Sequence, residues 1–176
     1  IPHNKIHIIN FGIDTEKFFK QERDLKILEY SGGKLHIPTI SCKNSVDMIR
    51  NAKSKGLNIS CSVAIHNLVF TEEKLKDFDT RFKVLPPLRT ELDRKALLKG
   101  VEDRTIDMVT SDHFPVDIDN KKMDIDNSYF GSVGLESFFG SLLNLFSLEK
   151  SIEILTAGKS RFGIQSNKIQ EGQTAK

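Results

Sequence analysis

The feature that most constrains this chain is a repeated alternation of a short apolar, β-branched run with an amphipathic helical stretch. "KLHIPTIS", Lys34 to Ser41, is followed by "NSVDMIRNAKSKG", which sets Val46, Ile49 and Ala52 on one face and stops at Gly56. "LNISCSVAI", Leu57 to Ile65, supplies a second strand. "RTELDRKALLKG" opens with Thr90 and Asp93 at capping-box-like spacing and predicts a helix ending near Gly100, before a third strand in "IDMVT". Upstream, "KIHII" is a weaker strand candidate. "TEKFFKQERDLKILEY" puts Phe18, Leu25 and Leu28 at helical spacing ahead of Gly32-Gly33. "GLESFFGSLLNLF" and "SLEKSIEILTAG" predict two further helices. Such alternation implies parallel strands joined by right-handed crossovers, hence an α/β fold with buried strands. Ligands in these folds lie beyond the carboxyl ends of the strands. The chemistry is therefore expected at Thr39 and Ser41, at Ile65 to Asn67, and at Ser111 to Val116.

An eight-stranded β/α barrel takes roughly 250 residues. With 176 residues and few strands, the chain is expected to be part of one. "KIQEGQTAK" has strand and turn character and no closing element after it, so truncation is expected there. With 26 basic against 24 acidic residues the formal charge is only +2, which argues against a nucleic-acid footprint or a membrane surface. "IPHNKIHIIN" lacks the order of a signal peptide and no apolar run approaches a membrane span, so a cytoplasmic protein is expected. Cys42 and Cys61 form no CxxC and are expected to be reduced, partly buried thiols. Twelve Phe and no Trp predict a core that leans on phenylalanine.

Three segments together carry a resemblance: "GGKLHIPTIS" with the following "KNSVDMIRNAKSKGLNISCSVAIHNLVF"; "KVLPPLRTELDRKALLKGVEDRTIDMVTSDHFP"; and "YFGSVGLES". In order and spacing, from about Gly12 to Gly172, they resemble the dihydroorotases of the metal-dependent amidohydrolase superfamily. The resemblance implies an amidohydrolase-type (β/α)8 TIM barrel, with residues 1–163 its C-terminal half and 164–176 the start of a small flanking β-domain. It also implies interconversion of carbamoyl aspartate and dihydroorotate in pyrimidine synthesis at a zinc site on the carboxyl face. There zinc polarises the ring carbonyl and generates hydroxide, while a carboxylate carries the proton.

By the same resemblance, Asp112 in "TSDHFPV" falls on the catalytic aspartate, a metal neighbour and general acid/base. Thr39 falls on a metal-binding histidine, and a neutral hydroxyl is a poor zinc ligand beside an imidazole. Removing even a partner of a zinc ligand typically costs roughly 10 to 100-fold in affinity or activity. Leu85, before "PPLR", and Val116 fall on polar substrate-binding positions, and Gly134 belongs to the substrate loop. Ser62 stands in place of Glu, and Ile65-His66-Asn67 in place of Pro-His-His. The HxH metal pair, the bridging group and a further histidine would lie before Ile1.

From residue type alone, Asp112 would cap the helix or turn that follows it, and His113 would be packed or turn-forming. His66 is expected to survive as a hydrogen-bonding residue of the strand end, and His36 as core or backbone-bonded. Arg89 either holds substrate or caps the Thr90 helix, with an ion pair the commoner fate. The glycines of "SYFGSVGLES" fit a loop approaching a ligand with positive φ, and "DIDNKKMDID" reads as a solvated loop rather than a calcium site. Three functions compete: an active dihydroorotase, a non-catalytic relative assembling with aspartate transcarbamoylase or as a homodimer, and a cyclic amidase whose Leu85 and Val116 form an apolar pocket. The substitutions strike metal and substrate positions separately, which favours the second.

Overall fold

A computed structural model of the chain describes residues 6–8, 15–164 and 171. Strands β1 (Ile6–Ile8), β2 (Lys34–Ile37), β3 (Ile59–Ala64) and β4 (Met108–Thr110) form one sheet in the order β1-β2-β3-β4, every pair parallel. Helices α1 (Thr15–Ser31) and α2 (Lys43–Ser54) connect the first three strands. The chain passes from β3 through α3 (Ile65–Val69) and α4 (Glu91–Glu102) to β4, and α5 (Ile118–Lys121), α6 (Phe138–Leu145) and α7 (Leu148–Ala157) follow. The expected strand–helix alternation is therefore present, including the weak strand at "KIHII". All but Ile164 and Glu171 of the expected flanking domain, 164–176, lies outside the described residues.

Helix α2 forms because Val46, Ile49 and Ala52 make one apolar stripe, and all three are buried against β3 and α4. Each such burial of Val or Ile contributes about 1.5–3 kcal/mol. Helix α4 starts where Thr90 Oγ1 accepts from the Asp93 amide, as the cap spacing predicts. It runs two residues past Gly100. That glycine serves packing rather than termination: a Cβ there would lie 3.0 Å from Ile106 and 3.2 Å from Val46. Among the described residues the core is Ile, Leu and Val rather than phenylalanine. Phe138 and Phe146 only border it, while Phe78, Phe114, Phe130 and Phe139 are exposed in loops and on α6. Leu35, Ile37, Ile59, Val63 and Val109 of β2, β3 and β4 are buried, so aliphatic side chains fill the space between these strands and the helices packed on them.

At the amino ends of the strands, Arg161 holds the sheet together. Its Nε donates to Ser60 Oγ at 2.8 Å, and Nη2 donates to Leu35 O at 3.1 Å and Asn58 O at 2.9 Å. His36 is buried with Nδ1 2.8 Å from Ser60 Oγ and its ring edge-on to Phe162, so its partner is a side chain and not the backbone. Asp107 ties α2 to β3, accepting from Lys53 Nζ at 2.8 Å and from the Cys61 amide at 2.9 Å. Both cysteines are free, and burial pushes the Cys61 thiol up to about 12, which keeps it protonated. Among the described residues no helix is long and apolar enough to cross a membrane.

Candidate functional site

Three chain reversals at the carboxyl ends of β2, β3 and β4 build the site. After β2 the chain leaves the sheet at Pro38, four residues earlier than the expected strand end, because Thr39 adopts φ 50°. Ser62 of β3 fixes that turn: its Oγ accepts from the Thr39 amide at 3.0 Å and its carbonyl accepts from the Ile40 amide at 2.8 Å. The serine therefore anchors the Thr39 backbone, a role its sequence gives no sign of.

After β3, Ala64 is still extended and Ile65 already begins α3. This turn buries the side chains of His66 and Asn67. Asn67 Nδ2 donates to Pro87 O at 3.1 Å, fixing the "PPLR" segment, in which the Leu85–Pro86 peptide is cis. Among the described residues neither ring nitrogen of His66 has a hydrogen-bond partner, so the expected hydrogen-bonding residue of the strand end is there an unsatisfied imidazole. Its Nε2 lies 3.7 Å from Asp112 Oδ2, too far for a hydrogen bond. Burial holds the His66 pKa down to about 4, and burial likewise raises that of Asp112. At neutral pH this is a neutral ring beside a carboxyl group rather than an ion pair.

After β4, Asp112 has φ 46°, a conformation Asp tolerates better than most residues. It is not a helix cap: Asp117 occupies that position for α5. The loop 131–135 lies directly on 111–114. Phe114 donates to Ser132 O at 2.9 Å, and the Leu135 amide donates to His113 Nδ1 at 3.3 Å. A Cβ at Gly134 would sit 2.1 Å from Ser111 O, so close approach, not positive φ, demands glycine there; Gly131 is the one with φ 136°. The acidic 117–126 loop is pinned from below, since Lys83 Nζ donates to Ser128 O at 2.7 Å and to Asp126 O at 3.2 Å, and Lys121 Nζ donates to Thr80 O at 2.9 Å. Arg89 is exposed and makes no ion pair among the described residues, contrary to expectation.

Between these loops lies a cavity of about 490 Å³. His66, Val116 and Gly134 line it together with Val69, Phe82 and Val84. Asp112 adjoins it through His66. Leu85 does not line it and is exposed, so the pocket expected from Leu85 and Val116 is built without Leu85. A tetrahedral zinc site needs four donors, three of them from protein even in catalytic sites. Here Asp112 and His66 present two groups, and Thr39 a neutral hydroxyl. No cluster of three His, Cys, Asp or Glu that could hold a metal ion occurs among the described residues. The described residues by themselves do not complete a zinc site.

No protein-family model matches the chain. Curated relatives do. A dihydroorotase of Caldanaerobacter subterraneus subsp. tengcongensis is 39% identical over 160 residues, covering 87% of this chain and 37% of the relative. One from Thermoanaerobacter sp. is 43% identical over 127 residues, covering 72% and 29%. The chain belongs to the dihydroorotase family. It spans well under half the length of the dihydroorotases it matches. Among solved structures, the L-hydantoinase (dihydropyrimidinase) of Arthrobacter aurescens superposes with a TM-score of 0.78 at 21% identity, covering 90% of this chain and 43% of that one. An inactive dihydroorotase-like domain of a CAD-like multifunctional protein from Chaetomium thermophilum superposes with a TM-score of 0.65 at 17% identity, covering 94% and 46%. At these identities the structures establish the fold alone, part of an amidohydrolase TIM barrel. Dihydroorotases and their amidohydrolase relatives are generally metal-dependent.

Proposed function

We propose that this chain is part of a dihydroorotase-like protein that does not interconvert carbamoyl aspartate and dihydroorotate, and that it serves as a non-catalytic subunit assembling with aspartate transcarbamoylase. The observation that carries this reading is the donor set at the strand ends: Thr39, bound through its backbone to Ser62, stands where zinc would need an imidazole. Asp112 keeps the carboxyl group of the family's proton carrier, and burial raises its affinity for a proton. Without a metal to supply hydroxide or polarise a carbonyl, a proton carrier has no water or ring to work on. Val116 and Leu85, at the substrate positions, donate no hydrogen bond to the carboxylates of carbamoyl aspartate. The test is an assay of the full-length protein, zinc-supplemented, for carbamoyl aspartate cyclisation, together with co-elution with aspartate transcarbamoylase. Co-elution without turnover is the expected result; turnover at rates typical of enzymes would overturn it.

A further inference from the structure

Lys83 carries an ammonium that no carboxylate pairs among the described residues. Backbone carbonyls and an aromatic ring surround it instead. Its Nζ donates to Ser128 O at 2.7 Å, to Asp126 O at 3.2 Å and to Ile125 O, and it lies 4.8 Å from the centre of the Phe130 ring. We propose that this turn is a binding site for a primary ammonium group, which the chain fills with its own lysine, so that Lys83 is the positioning residue of the turn leading into the 131–135 loop. Whether the strand ends hold zinc does not enter the inference.

The match is one of number and of chemistry. An ammonium group has three N–H donors and no acceptor, and three carbonyl oxygens converge on it here. The face of the aromatic ring attracts the same positive charge. A quaternary cation would bring the charge but leave the carbonyls without donors. A neutral alcohol would bring one donor and no charge, and hydrogen bonds from an ionised donor are the stronger ones.

The site is built by the turn rather than by the lysine. The Asn127 and Ser128 amides both donate to Asp124 O, at 3.0 and 2.9 Å, and Ser128 Oγ donates to Ile125 O at 3.2 Å. From the other side, Lys121 Nζ donates to Thr80 O at 2.9 Å and to Lys83 O at 3.3 Å, and the Gly131 amide donates to Lys83 O at 3.1 Å. These bonds use the backbone at position 83 and remain when its side chain is cut back. Lys83→Ala removes Cγ, Cδ, Cε and Nζ, the atoms of a propylammonium ion, and leaves the carbonyls aimed at the space they occupied.

The test is hydrogen exchange of the full-length protein, followed by mass spectrometry, in the parent, Lys83→Ala and Lys83→Met. In Lys83→Ala the amides of 125–131 should exchange about tenfold faster while those of α2 keep their rates. Propylammonium chloride should restore the slow exchange, whereas tetramethylammonium chloride at the same ionic strength and 1-propanol should not. Lys83→Met, whose stem fills the space, should exchange as fast as Lys83→Ala and gain nothing from propylammonium. Unchanged exchange in Lys83→Ala, equal restoration by either control, or restoration of Lys83→Met would each overturn the proposal. Loss of protection in α2 in both variants would overturn it too, because Lys83 would then support the whole fold rather than position one turn.

Discussion

Thr39 and Asp112 share an uncommon backbone: both have left-handed φ values, 50° and 46°, at the ends of β2 and β4. For a β-branched residue this costs roughly 1–2 kcal/mol, which the Ser62 bond to the Thr39 amide offsets in part. Thr39→Asn, better suited to that conformation, should raise stability by about 1 kcal/mol in urea unfolding, and Ser62→Ala should lower it by about 1 kcal/mol. His66 makes a pH prediction. Its folded pKa of about 4 lies below the ordinary 6.5, so the unfolded chain binds its proton first. The stability tied to the neutral ring is complete above pH 6.5 and is lost as pH falls toward 4, on the order of 3 kcal/mol in total. His66→Phe should flatten that acid limb, measured as urea midpoints at pH 7 and at pH 4.5. The location of these residues was legible, since parallel strands put chemistry at their carboxyl ends. Their conformations were not, because neither position is a glycine.

Two glycines separate packing from propensity at the scale of elements. Gly134→Ala drives a Cβ into the Ser111 carbonyl and should cost about 3 kcal/mol or displace the 131–135 loop, while Gly140→Ala, with nothing near its Cβ on exposed α6, should gain about 0.5–1 kcal/mol. Chemical unfolding of the two variants beside the parent checks both signs. Helices α2, α4 and α7 were readable from apolar spacing, and α4 also from the cap at Thr90; the Ser147 cap of α7, accepting from the Lys150 amide, appears only in the structure. The carboxyl ends of the strands were less so. "CSVAIHNL" is apolar without a break, so periodicity alone does not tell the last strand residue, Ala64, from the first of α3. The helix expected from Gly134 starts only at Phe138, because 131–135 is held as a loop against 111–114.

Across the whole molecule, Arg161 joins the segment after α7 to β2 and β3, more than a hundred residues earlier in the chain. Arg161→Ala should cost about 2 kcal/mol and Arg161→Lys should restore little of it, since an ammonium cannot span Ser60, Leu35 and Asn58 together; thermal melts of both variants measure this. The sequence pattern showed part of a parallel barrel but not this long-range tie, because a lone arginine carries no signal of its partners. It showed Asp112 beside a substituted metal position but not the orphaned imidazole, because burial decides that and follows from the turn into α3. The central claim is that the strand ends do not grip zinc. The most direct measurement is the zinc content of the full-length protein after equilibration with zinc and removal of the excess. The account predicts well below one ion per chain, rising in Thr39→His; one or more tightly held ions per chain in the unaltered protein would contradict it.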